Sequence, residues 1–460
     1  MSSTAARSTP AAKSHALIGH ANADAVVAWR RGEAVSAARF LGDVQRVADA
    51  LPAAGHILNF CADRYCFAVA LCAAIVRGQT TLLPPATTPN VIRAMREFAP
   101  DAYFVSDEAQ AHGDLPRVEL PSLDRTAGRS AATWEVPAID AQQAIACVFT
   151  SGSTGEPQSY FKRWGSLVRN VAGEARRLAI GERHAILGTV PPQHMYGFES
   201  TVLLPLLTGA ALTSQRPYYP GDIDAAIDCV PGPRVLFTTP FHLRAWMEGG
   251  TPAAVEAIVS ATAPLSVGLA RAVEERTGAR LFEIYGCTET GQVATRRPTL
   301  SVEWEAMDGV RIWTDGEQAM AAGAHIDQPT PLQDVIEVIG DGSRFLLHGR
   351  SADMVNIAGK RNSLAYLNHQ ITSIAGVRDG VFFLPDEGDP DGVTRLVAFA
   401  VAPGLTSAQI LEELRARIDP AFLPRPMVLV DRLPRQLTGK LPREALRELA
   451  AQARRPDGTA

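Results

Sequence analysis

Between about residues 55 and 290, short apolar runs alternate with segments whose apolar positions recur at helical spacing. HILNF precedes a helical run from Phe67 to Arg77, and TTLLP precedes NVIRAMREFA. AYFVS, IACVF, HAILGTVP, RVLFTTP and ARLFEIYG continue the series. Such alternation predicts a parallel sheet with crossover helices. The runs carry few charges, as strands covered on both faces do. Near residues 340–362 the texture changes to the Gly- and charge-rich DGSRFLLHGRSADMVNIAGKRN, and a fresh alternation ends near Ala451. The expected fold is therefore α/β. A large N-terminal domain of layered, mostly parallel sheets and helices spans 14–352, and a small α+β domain spans 353–452. Residues 1–13 and 453–460 read as a disordered start and tail.

At 460 residues the chain is about three modal domains long, which excludes a single small binding module. Its 46% hydrophobic and 20% charged residues are those of a soluble globular protein and exclude wholesale disorder. Lys+Arg of 44 against Asp+Glu of 49 gives a net charge of −5 with no basic run, so nucleic acid is not an expected partner. The apolar stretch Phe67–Val76 is half of the roughly 20 residues that cross a bilayer as a helix. No membrane span is predicted. MSSTAARSTPAAK lacks the apolar segment of a secretory signal. The six cysteines form no CxxC pair and read as reduced, packed thiols, so a cytoplasmic location is expected.

The sharpest local signal is Thr150-Ser151-Gly152-Ser153-Thr154-Gly155, directly after IACVF. Gly152 and Gly155 let backbone approach an anion closely, and the hydroxyls and amide N–H groups can donate to phosphate oxygens. Glu156-Pro157 follows Gly155, so this is not the GxxxxGK[ST] loop. Standing alone, the segment is also compatible with an ordinary Ser/Gly linker. Three further elements accompany it: Tyr285-Gly286-Cys287-Thr288-Glu289-Thr290; Asp334 sixteen residues before Arg350, with Asp353 three further on; and Leu433 to Lys440, LPRQLTGK. In isolation each is equally a buried turn, a surface acid, a surface ion pair or a solvated lysine.

In this order and at these separations the four elements resemble the adenylate-forming superfamily of acyl-CoA synthetases, peptide-synthetase adenylation domains and luciferases. The resemblance covers about residues 35–450. It implies an AMP-forming acid–thiol ligase that uses ATP and Mg²⁺, joins a carboxylate to AMP with release of pyrophosphate, and passes the acyl group to a thiol. It places Thr150, Ser151, Gly152, Ser153, Thr154 and Gly155 around the β- and γ-phosphates and Glu289 on the Mg²⁺, a hard cation suited to oxygen ligands. It sets Thr288 on the α-phosphate, Tyr285 and Gly286 along the adenine, and Asp334 on the ribose hydroxyls, for which an acceptor-only carboxylate is suited. Arg350 matches the family arginine near ribose and phosphate, and Asp353 the hinge about which a mobile small domain turns. Lys440 matches the lysine that reaches the substrate carboxylate and α-phosphate. There a cation at about 4 Å contributes roughly 4 kcal/mol at an effective dielectric of 20. His194, in Pro191 to Gly197, aligns with the residue at the mouth of the acyl pocket, a catalytic position. Phe198, Thr239, Phe241, His242 and Ala263 are the expected pocket lining.

The chain departs from the pattern in places. Gln158 stands where the family's loop ends in lysine, and Lys162 is the candidate replacement on the phosphates. Asn356 replaces the usual lysine after the hinge, and Asn362-Ser363-Leu364 lacks the typical glutamate. The run Gln158 to Leu167 is similar to stand-alone ligases of aryl polyene and xanthomonadin-type pathways. The leading expectation is a ligase that adenylates an aromatic acid, of hydroxybenzoate or cinnamate type, and loads it on the phosphopantetheine of an acyl carrier protein. No Gly-Gly-x-Ser carrier signal occurs in the chain, so the carrier is expected in trans. The alternatives are a synthetase using free CoA, and a catalytically inactive nucleotide-binding relative.

Overall fold

A computed structural model describes residues 13–109, 114–123, 134–151, 157–249, 252–350, 354–357, 360–385, 395–436 and 441–453. The chain divides into two compact units, Met1–Leu187 with Pro192–Arg216, and Gly188–Pro191 with Pro217–Ala460.

The first unit carries a six-stranded sheet in the order Pro157–Arg163, Ala144–Ser151, Thr80–Leu83, His56–Asn59, Tyr103–Val105, Arg117–Val118. All neighbours are parallel except the first pair, an antiparallel hairpin. The helix Arg64–Val76 is buried from Arg64 to Ile75, which is why its sequence shows no polar face. It begins three residues before the apolar run because the Asp63 carboxylate accepts from the N–H groups of Tyr65 and Cys66. At its first residue the buried Arg64 guanidinium donates to Thr201 Oγ1 (3.0 Å) and to the carbonyls of Thr213 (3.0 Å) and Gln215 (2.7 Å). Strands Val26–Arg30 and Glu33–Ser36 form a hairpin whose turn, Arg31 (φ 52°) and Gly32 (φ 82°), has the two left-handed residues that match strand twist.

In the second unit Arg234–Thr238, Ala257–Ser260 and Arg280–Cys287 run parallel, with crossover helices Pro240–Glu248 and Val267–Thr277 between them. The sheet then turns antiparallel through Gly291–Arg296, Trp304–Ala306, Arg344–Arg350 and Asp334–Ile339. The expected β-α alternation thus holds up to the last of its apolar runs. Beyond that point hairpins replace crossovers because the intervening segments are too short for a helix.

The C-terminal region is a smaller α+β domain with its own core of Val355, Leu367, Ile371, Phe382, Ile410, Leu414 and neighbours. Its three-stranded sheet, Asp379–Phe383, Val397–Val401 and Met427–Leu429, carries helices Leu364–Thr372 and Ser407–Arg415, and the hairpin Met354–Ile357/Lys360–Ser363 precedes it. The expected boundary at residue 353 lies outside the described residues. Four of the six cysteines are buried, Cys287 is half-buried, Cys229 is exposed, and all are free.

Candidate functional site

In the second unit, strand Arg280–Cys287 and its antiparallel partner Gly291–Arg296 are joined by the turn that holds Thr288 and Glu289. The two backbones pass so close at Gly286 that a Cβ there would collide with the carbonyl oxygen of Gly291, and the register shifts between Tyr285 and Gly286. Glycine is required for this approach. Tyr285 is buried, with Trp304 and Phe345 edge-on at 5.8 Å each. Its hydroxyl donates to Asp334 Oδ2 at 2.7 Å. Asp334 in turn stands opposite Arg350 in strand register. The Tyr285 side chain thus meets Asp334 across the sheet, while Asp334 and Arg350 lie on adjacent strands.

Thr288 and Glu289 are half-buried in the turn. Beside them the Cys287 sulfur lies 3.1 Å from Thr290 Oγ1. Burial, aided by the negative charge of Glu289, pushes the Cys287 thiol up to about 11. It stays a neutral thiol near pH 7 and is not a nucleophile there.

Ala263 is half-buried in the loop four residues before the helix Val267–Thr277, which Ser266 caps by accepting from Leu269 N–H (3.1 Å). The neighbouring Leu265 N–H donates to Glu283 Oε1 at 2.9 Å, and Arg296 Nε donates to Glu283 Oε2 at 2.7 Å. Glu283 is buried, which raises its carboxyl, while the Arg296 guanidinium opposes the shift. Arg296 also lies over the Trp304 ring at 4.6 Å. Glu283 thereby ties the Ala263–Ser266 segment to the strand of Tyr285. Sequence reasoning passed over it; the available signal was one acid inside the apolar run LFEIYG.

Thr239 caps the helix Pro240–Glu248, and its hydroxyl lies 2.8 Å from His242 Nδ1. His242 is buried, edge-on to Tyr218 (5.3 Å) and Phe241 (5.4 Å), and Phe241 itself is half-buried. Thr239, His242, Tyr218 and Phe241 form one aromatic and polar cluster.

In the first unit, Thr150 and Ser151 end the strand Ala144–Ser151, opposite Gln158 and Pro157 of the returning strand. Gly152, Ser153, Thr154 and Gly155 lie outside the described residues, as do Asp353 and Lys440. Lys162 pairs with Ala146, five residues farther from the hairpin end than Pro157, roughly 17 Å along a strand. Its charge lowers the carboxyl of the buried Glu199. His194 is half-buried and caps the short helix Met195–Gly197, its Nδ1 accepting from Tyr196 N–H (3.3 Å). Gln193 anchors this segment by donating to the Cys61 carbonyl at 2.7 Å. Phe198 is fully buried at the start of a π-helix, Phe198–Leu203.

Comparison with known proteins places this geometry. The family model for AMP-binding enzyme matches residues 18–315. The chain is 29% identical to the 4-coumarate–CoA ligase of Rhodobacter capsulatus over 310 residues, covering 65% of this chain and 74% of that protein. It is 24% identical to the indoleacetate–CoA ligase of Aromatoleum aromaticum over 420 residues, covering 78% and 77%. Among solved structures, ATP-bound MatB from Rhodopseudomonas palustris shares the fold with a TM-score of 0.80 at 17% identity, over 94% of this chain and 97% of that one. Among the described residues no helix is long and apolar enough to cross a membrane.

Proposed function

Since the chain belongs to the AMP-binding enzyme family and is an AMP-forming, acid-activating ligase, we propose that its acid is aromatic, of hydroxybenzoate or cinnamate type, and that its acceptor is the phosphopantetheine thiol of a separate acyl carrier protein. The observation that carries the nucleotide assignment is the Tyr285–Asp334 hydrogen bond with Arg350 opposite in register. A half-buried, acceptor-only carboxylate held from behind by a buried phenol is pre-set for a pair of ribose hydroxyls.

Chemistry follows from these placements. A carboxylate oxygen of the acid attacks the α-phosphorus of ATP as the bond to pyrophosphate breaks, and the thiol sulfur then attacks the acyl carbon and releases AMP. Glu289 would hold, through one carboxylate, the Mg²⁺ that these ligases use with ATP, a fit for a hard ion that takes most of its shell from phosphate and water, and the ion would supply charge neutralisation at the phosphates. Thr288 donates to the α-phosphate, and Lys440 meets the charge that grows there during attack. The aromatic assignment is supported by the two relatives, whose named acids are aromatic. The similarity of Gln158 to Leu167 to ligases of aryl polyene type supports the carrier protein as acceptor. The relatives' use of CoA favours free CoA as the second reading.

ATP- and Mg²⁺-dependent pyrophosphate release over a panel of benzoates, cinnamates and straight-chain acids, with hydroxylamine to trap the adenylate, tests the acid. A preference for one aromatic acid is expected, and activity confined to alkyl acids refutes it. Offering carrier protein and free CoA side by side then decides the acceptor; acylation of CoA alone sinks the carrier reading.

A further inference from the structure

The first unit buries a charged cluster that the reaction above does not use. Glu174 and Asn170 lie one turn apart on the helix Trp164–Leu178, which follows the returning hairpin strand directly. Glu199 and Ser200 lie on the π-helix that continues from His194 and Phe198. All four are at most 3% exposed. Asn170 Nδ2 donates to Glu199 Oε1 at 2.6 Å, and Ser200 Oγ donates to Glu174 Oε1 at 2.6 Å. Lys162, from the hairpin strand, supplies the positive charge that acts on Glu199. Asn170 Oδ1 is buried and has no donor among the described residues, so the cluster holds an acceptor ready for a hydroxyl or a water.

Two ionised carboxylates against one ammonium would leave a net negative charge in a dry interior, at a penalty of several kcal/mol. With one proton retained the set is neutral. Burial first, then repulsion from Glu174, pushes the Glu199 carboxyl up to about 8, against the pull of Lys162 and Asn170. The titration belongs to the pair and not to either acid alone. Packing this volume with apolar side chains would hold the fold at least as well, so stability alone does not account for the cluster. π-Helical segments are rare and frequent at functional sites.

We propose that Glu199 and Glu174, sharing one proton beside Lys162, are positioning residues that fasten the hairpin carrying Thr150 and Ser151 to the helix carrying His194 and Phe198. The inference rests on the ligase reading, in which those two elements face the phosphates and the acid. When the shared proton leaves, the buried excess charge loosens the three elements, and the site loses its alignment at alkaline pH.

The sign follows from linkage. A carboxyl raised in the folded state binds more protons than in the unfolded chain between its ordinary value near 4.5 and about 8. Its contribution to stability is therefore present below that window and is lost as pH rises through it. The test is kcat/KM for ATP from pH 7 to 9.5 in the wild type, Glu199→Gln, Glu174→Gln and the double variant, with thermal unfolding across the window from about 4.5 to about 8. The wild type should fall about tenfold per pH unit above about 8. Each single variant, with one lysine facing one acid, should be flat within about twofold. The double variant removes both carboxylates beside the half-buried Lys162 and should lose at least tenfold at every pH. An alkaline fall that persists in both single variants overturns the proposal, as does a loss in each that is the same at all pH values. If no acid is activated by the wild type, the ligase reading fails by itself. The unfolding data then decide the proton-sharing alone: a drop in Tm between about pH 4.5 and about 8 in the wild type that is absent from both single variants sustains it, and equal drops refute it.

Discussion

Replacing Tyr285 with phenylalanine removes one hydroxyl and keeps the ring that Trp304 and Phe345 pack against. What disappears is a 2.7 Å bond to the Asp334 carboxylate. Hydrogen bonds to charged groups contribute about 1.5 to 3 kcal/mol, and a half-buried Asp334 recovers part of that from water. The expected net loss is about 1 to 2 kcal/mol, or roughly 5- to 30-fold in KM for ATP, with kcat nearly unchanged because the ribose is far from the bonds that change. Asp334→Asn removes the ionised acceptor itself and should raise KM for ATP further. In a double-mutant cycle the two substitutions should be coupled by about 1 kcal/mol, since both act through one bond. Pyrophosphate release at saturating acid and varied ATP supplies KM and kcat, calorimetric titration with ATP checks binding alone, and thermal unfolding controls for misfolding. If Tyr285→Phe leaves KM for ATP within twofold, the phenol does not position the carboxylate. Strict additivity would likewise show that the two residues work separately, and an unaltered KM in Asp334→Asn would remove the nucleotide assignment from this edge of the sheet.

The remaining predictions concern other parts of the molecule. Glu283→Gln leaves a largely buried Arg296 without its counter-charge and should lower stability by about 3 kcal/mol. Guanidinium titration should show it, and an unchanged midpoint would mean that the pair carries no net energy. Gly286→Ala forces the backbone away from Gly291 and should abolish pyrophosphate release while the small domain's fold persists; a fully active alanine variant would contradict the close approach. Under non-denaturing conditions at pH 8 a thiol reagent should label the exposed Cys229 rapidly, with Cys287 slow because its thiol is held near 11; mass mapping that finds Cys287 modified first would reverse that view. Lys440→Ala should bind ATP with near-normal affinity yet lose about 10²- to 10³-fold in pyrophosphate release, matching the roughly 4 kcal/mol expected of a cation at that position. An undiminished rate would remove that lysine from the chemistry.

Much of this protein is determined by its sequence alone. The apolar runs and their spacing set the strands and helices up to Cys287, because burial on both faces demands uninterrupted apolar segments whatever the tertiary context. Tyr285, Gly286 and Asp334 could be singled out as nucleotide-site candidates only through the family resemblance of their motifs; that the phenol donates to Asp334 emerged from the tertiary structure. Tertiary structure alone decided the charges. Lys162 reads from sequence as a candidate phosphate ligand; strand register sets it five residues from the hairpin end, and its effect on the buried Glu199 is visible only in three dimensions. Glu283 sits inside a run that reads as a strand, Glu174 and Glu199 in segments the apolar pattern left unassigned, and nothing local marks any of them as buried. The energy of an ionisable group depends on what surrounds it in three dimensions, and elements far apart in the chain supply those surroundings.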